Sequence, residues 1–214
     1  AYTHPSATIV PVIAAIADAN DITHAAVVEA YAIAFQVESA LATALPVRAA
    51  YGRGWHASGV LGPITAAVAA SRLLELSEPQ TLHALGLAVA SVGGSLANFG
   101  SMTKPLTVAR SASDGLWAAL LAKRGVTAGE DALGGPGGLL DMFDRKGQAE
   151  VVSNALDLPW ALRDHGPDIK PYPACSAARC AIDAARALTV DPEQIDAISI
   201  TVEPCGLDAL IFTD

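Results

Sequence analysis

The chain has 214 residues, 52% of them hydrophobic and 5% aromatic, which is enough for one sizeable core and excludes a disordered polymer. Thirteen Lys+Arg against 22 Asp+Glu leave a formal charge of −9 with no dense basic run, so the electrostatic footprint of a nucleic-acid binder is missing. Small apolar residues dominate, and close packing between helices predicts a mainly α fold: a helical bundle to about residue 165, then the start of a smaller α+β domain from 166.

In chain order, Ile9, Val12, Ile13 and Ile16 recur at helical spacing and predict a helix over Thr8–Ala19. Pro5 disfavours helix at the residue before it, which puts His4 in extended chain at the entry to this helix. Thr23 is the predicted N-cap of a second helix that runs to about Ala44 and stops at Pro46, with His24 exposed in its first turn. The stretch Tyr51–Gly59 holds three glycines with Arg53 and His56 between them. Ser58 is the expected cap of the next helix, about Val60–Leu76, so His56 stands just ahead of a helix N-terminus.

Ser77-Glu-Pro-Gln80 matches a capping box and announces a helix over Glu78–Val92, with His83 as a structural histidine. Leu82–Phe99 is the main membrane-span candidate, but its glycines and polar residues favour a buried helix that breaks near Gly93-Gly94; no membrane segment is expected. Gly100–Arg110 then places Lys104 on a short polar bridge between two nearly uncharged helices. Thr103 is the expected cap and Pro105 lies in the first turn, so the Lys104 ammonium and the helix dipole attract the same anion. That helix ends at Gly125, and Arg110 and Asp114 sit four residues apart on it, spaced to pair.

Gly134–Gly138 has no Lys-Ser/Thr after it and reads as a sharp turn, not a phosphate loop. Short helices are expected over Leu139–Phe143 and Gln148–Leu156, and Ser176 is the expected cap of a helix to about Leu188. Ala197–Val202 alternates and is β-branched, the clearest strand pattern in the chain. A lone strand has no partner, so the sequence is expected to be a piece of a longer polypeptide. Cys175, Cys180 and Cys205 make no Cys-x-x-Cys pair, which predicts a reduced, cytoplasmic setting without a structural metal or iron–sulfur cluster; no secretory signal is expected at Ala1.

His56, Lys104 and Lys170 each lie in a Gly/Pro/Ser-rich approach to a helix N-terminus, and His4 is a weaker fourth. Convergence of those ends would make a cofactor-free pocket for a small polycarboxylate, with ammonium groups binding carboxylates and an imidazole moving protons. Arg53 is a further candidate for substrate binding. The rival expectation is a non-catalytic helical scaffold or an incomplete fragment.

Five motifs occur in a family's order: Thr3-His-Pro-Ser6, Gly54-Trp-His-Ala-Ser-Gly59, Thr103-Lys-Pro-Leu106, Gly134-Gly-Pro-Gly-Gly-Leu139 and Ile169-Lys-Pro-Tyr-Pro173. Over essentially its whole length the chain resembles the MmgE/PrpD family, which includes 2-methylcitrate dehydratase, cis-aconitate decarboxylase and iminodisuccinate epimerase. The resemblance implies a homodimer with a large all-helical domain and a smaller α+β lid, needing no metal or other cofactor. It also implies that His4, His56, Lys104 and Lys170 line an active site. The Thr-Lys-Pro-Leu form is closer to the decarboxylase branch, and Arg179 stands where many members carry a histidine. The implied activity is a lyase, a dehydratase or decarboxylase of a di- or tricarboxylate, or an epimerase of the same substrate class. Proton transfer would fall to His56 with His4 as a second acid/base, and Lys104 and Lys170 would clamp carboxylates.

Overall fold

A computed structural model describes residues 3–45 and 47–202. The chain divides into two compact units, one up to Pro167 and one from Asp168 onward. Pro46 and Cys205, both used above, lie outside the described residues.

The first unit is a helical bundle. Helix α1 (Pro5–Ala19) buries Ile9, Val12, Ile13 and Ile16, the stripe that its sequence spacing announces. In α2 (His24–Ala44) the Thr23 hydroxyl accepts the Ala26 N–H at 3.2 Å, as the cap assignment requires. A short α3 (Val47–Gly52), not expected from the sequence, leads to α4 (Ala57–Leu73), the hub of the unit. It packs against α1, α2, α5 (Glu78–Val89) and α6 (Thr103–Lys123). Nearly every α4 residue is buried because its surface is glycine, alanine, serine and small apolar side chains, so neighbouring helices approach its backbone on all sides. Shorter helices follow: α7 (Leu139–Met142), α8 (Ala149–Leu156) and α9 (Ala161–Asp164). The buried Gln36 amide ties the last two to α2, donating to the Ala155 carbonyl and accepting the Ala161 N–H.

The Ser77/Gln80 capping box forms in full at the head of α5. Two other caps differ from expectation. His56, not Ser58, holds the N-cap position of α4, because the helix starts three residues earlier than the sequence indicates and carries Ser58 inside its first turn. Met102, not Thr103, precedes α6, and the Ser101 hydroxyl takes the Thr103 N–H at 3.3 Å. The helix of 82–99 breaks early, ending at Val89 ahead of Gly93-Gly94. Among the described residues one helix, α2, is long and apolar enough to cross a membrane by length and composition.

In the second unit a 3-10 turn at Ser176–Ala178 runs into α10 (Arg179–Arg186), so Ser176 is not the α-helical cap. Arg179 pairs with Asp168 at 3.3 Å, and the Tyr172 hydroxyl donates to Asp183. The alternating segment 197–202 forms no strand. A strand is defined by hydrogen bonding to a neighbour, and none of the described residues supplies one.

Glu38 on α2 is a buried carboxyl in the bundle, with Oε2 unpartnered among the described residues. Burial pushes its pKa up to about 7, while hydrogen bonds with the Thr3 and Thr65 hydroxyls pull the other way. Unfolding restores a value near 4.5, so the folded chain holds this proton more tightly and the associated stability is present below pH 4.5 and lost as pH rises through 7. Glu38→Gln is therefore expected to stabilise the protein by on the order of 2 kcal/mol at pH 8 and by little at pH 4. Urea unfolding at both pH values measures the difference, and equal effects would place the carboxylate in contact with water.

Candidate active site

Three of the sequence-selected groups meet at one end of a cavity of about 570 Å³ between α1 and α6, closed at that end by the residue ahead of α4: His4, His56 and Lys104 all line it. Each is placed by a helix start. His4 is the N-cap residue of α1, His56 that of α4, and Lys104 lies in the first turn of α6. His4 Nδ1 is 3.1 Å from Ser58 Oγ, so the hydroxyl read as a cap instead tethers α1 to α4. The two imidazole rings stand 6.4 Å apart, edge to face.

His56 is held by backbone. Its N–H donates to the Gly94 carbonyl, the Gly93 N–H returns to Gly59, and a bridge joins Trp55 to Ser95. Gly94 has φ +102°, and a Cβ there would come within 3.3 Å of His56 Cβ, so a glycine suits both its conformation and its space. This lacing carries Phe99 onto the imidazole, centroids 4.8 Å apart at 88°. Trp55 packs against Phe143 and leaves the His56 ring to Phe99.

The Lys104 ammonium sits 4.2 Å from the Phe99 ring centroid. One aromatic ring thus seats both the cation and the imidazole, by a cation–π contact with the first and an edge-to-face contact with the second. Sequence reasoning passed over Phe99. In a chain with only four phenylalanines, one directly before the Gly100–Lys104 stretch was the available signal.

His56 is 1% exposed, and neither ring nitrogen has a hydrogen-bond partner among the described residues. Burial lowers its pKa to about 4, and the charges of His4 and Lys104 add to that direction. At neutral pH the ring is uncharged and retains one free lone pair and one N–H. An anion entering beside it would reverse the electrostatics and favour the imidazolium.

Arg53 does not line the cavity: its guanidinium pairs with Asp144 at 2.7 Å and reaches the Phe143 carbonyl, clamping the turn after α7. Lys170 belongs to the second unit, where it lines a small cleft with Tyr172 and Arg179. His83 accepts the Ala128 N–H at 3.2 Å, a structural role, and His24 is exposed. The Arg110–Asp114 pair forms at 3.4 Å with the arginine largely in solvent. No group of three or more His, Cys, Asp or Glu suited to a metal occurs among the described residues.

Residues 1–152 match the family model for the MmgE/PrpD N-terminal domain. The chain is 28% identical to human cis-aconitate decarboxylase over 187 residues, covering 86% of this chain and 39% of that protein. To the mouse cis-aconitate decarboxylase it is 29% identical over 205 residues, covering 90% and 41%. A cis-aconitate decarboxylase-like protein of Aspergillus oryzae is 36% identical over 116 residues, covering 50% of this chain and 24% of its own length. The chain therefore spans about two fifths of the length of the two mammalian relatives. With a family model matched across most of its length, and three of the five ordered motifs contributing His4, His56 and Lys104 to one cavity, the chain belongs to the MmgE/PrpD family.

Proposed function

We propose that the chain provides the proton-transfer and carboxylate-binding groups of a lyase that removes carbon dioxide or water from a di- or tricarboxylate. The observation that carries this reading is the meeting of His4, His56 and Lys104 at one end of a single cavity. The similarity to proteins named cis-aconitate decarboxylase supports the decarboxylase form.

The chemistry follows from the groups. When the bond to a departing carboxylate breaks, carbon dioxide leaves and the electron pair passes to carbon, where a conjugated carboxylate can accept it as an enediolate-like dianion. A cation aimed at those oxygens stabilises the added charge, the task assigned to Lys104. A proton must then reach carbon. His56, neutral in the free site and made more basic by the bound anion, is the donor once protonated, and His4 is the second acid/base. Phe99 keeps water away from the imidazole and holds the ammonium beside it.

The test is to incubate the full-length protein with cis-aconitate, 2-methylcitrate and iminodisuccinate in D2O and follow each by NMR. Loss of carbon dioxide from cis-aconitate with one deuterium delivered to product carbon is the expected result. Dehydration of 2-methylcitrate would select the dehydratase, and configurational exchange in iminodisuccinate the epimerase. A folded protein that turns over none of them would overturn the reading. Lys104→Ala is expected to cut turnover by about a hundredfold or more while leaving the circular dichroism spectrum intact; retained activity would remove Lys104 from the site.

A further inference from the structure

The cavity is far from uniform. Its charged groups are gathered where α1, α4 and α6 begin, and from there it continues between α1 and α6. Along α1 the lining steps from His4 through Pro11 to Ala15, and along α6 from Lys104 through Val108 to Leu116. At 1.5 Å per residue these rows extend about 16 and 18 Å. Both start at the same end, because the His4 ring packs against His56 and the Lys104 ammonium lies over Phe99, the ring that also packs against His56.

Past the charged end, Ser113 is the one polar side chain in the lining, and its hydroxyl donates to the Ala109 carbonyl at 3.2 Å. A carboxylate placed there would meet alanine, proline, valine and leucine side chains and no cation, along a groove open to solvent at Pro11, Ala15 and Ala109. A compact polycarboxylate therefore fits the head of the cavity and leaves the rest unfilled. Hydrocarbon fits the rest.

We propose that this site takes an amphipathic ligand: a di- or tricarboxylate head held by His4, His56 and Lys104, bearing an alkyl substituent that lies in the groove between α1 and α6. This rests on the reading above, that the cationic end binds carboxylates. The head fixes the orientation, and the tail adds affinity in proportion to the apolar surface it covers.

Isothermal titration of the full-length protein with succinate and with 2-butyl-, 2-hexyl- and 2-octylsuccinate tests the proposal without requiring turnover. Affinity is expected to rise about two- to fourfold per added methylene until the groove is filled. Ala15→Phe narrows the far end, so the octyl compound should lose its advantage over the butyl one. Lys104→Met should weaken the whole series. If succinate binds and longer chains bind no more tightly, the tail assignment is overturned, the groove being covered by another part of the longer protein or by a second copy, and the carboxylate reading stands. If no acid binds, the carboxylate reading itself falls. Equal binding of hexylammonium and hexylsuccinate would overturn the head assignment.

Discussion

Gly115→Ala is expected to cost about 3 kcal/mol or more of stability, although alanine is the better helix former by about 1 kcal/mol. A Cβ at position 115 of α6 would lie 2.3 Å from the Pro63 carbonyl oxygen, 2.4 Å from Ala66 Cβ and 2.7 Å from the Ala67 backbone nitrogen. Two of those atoms are main chain of α4 and cannot rotate away. The helices would have to part, and the α4–α6 contact is the one that sets Lys104 beside His56. Urea unfolding of the full-length protein measures the loss, with Gly129→Ala as the control, since a Cβ there meets nothing within 4 Å. Equal midpoints for the two variants would mean that α4 and α6 are not in backbone contact. The same variant should also lose activity ahead of global unfolding, because separation of the helices widens the site first.

His56→Gln is expected to lower kcat of the full-length enzyme by about 10²- to 10⁴-fold with a smaller change in KM. Glutamine keeps a polar end of comparable reach but cannot shuttle a proton near neutrality. The preceding condition is directly visible: the imidazole carbon resonances of His56 should titrate near pH 4 in the free protein and move upward when a dicarboxylate binds. Phe99→Leu should shift the free-protein value toward 6.5, since it removes the ring that seats Lys104 and shields the imidazole. A His56 that titrates normally in the wild type would be hydrated, and its role in proton transfer would need another residue. A kcat unchanged by His56→Gln would hand that role to His4.

Sequence patterns revealed what is local. Four apolar residues at helical spacing gave α1, Thr23 gave the start of α2, and Ser77 with Gln80 gave the start of α5, because each signal and its structural effect lie within a few residues. Ser58 misled for the opposite reason. Its hydroxyl is drawn to His4, 54 positions away, so a local capping preference yields to a tertiary contact. Arg53 likewise sits among glycines that suggest a ligand loop, yet its partner Asp144 is 91 positions along the chain. The alternation in 197–202 describes a segment able to join a sheet, and a sheet requires a second strand. For the candidate site, motif order picked out His4, His56 and Lys104, while their common cavity depends on how the starts of α1, α4 and α6 come together. The apolar length of that cavity was not legible at all, since Ala15 and Leu116 read simply as helix faces.

Two buried titrating groups among the described residues of the bundle, His56 and Glu38, pull stability in opposite directions. For His56 the folded value of about 4 lies below the unfolded 6.5, so its contribution is present above pH 6.5 and is lost as pH falls through 4. For Glu38 the folded value of about 7 lies above the unfolded 4.5, so its contribution is lost as pH rises. Between about pH 4.5 and 6.5 the unfolded chain carries imidazolium and carboxylate at these positions, and the folded chain carries imidazole and carboxylic acid. Folding across that interval relocates one proton from a nitrogen base to an oxygen acid and exchanges none with the solvent on their account. The bundle thus encloses two ionisable residues without enclosing a charge on either, and it does so with a stability that these groups leave nearly level in mild acid.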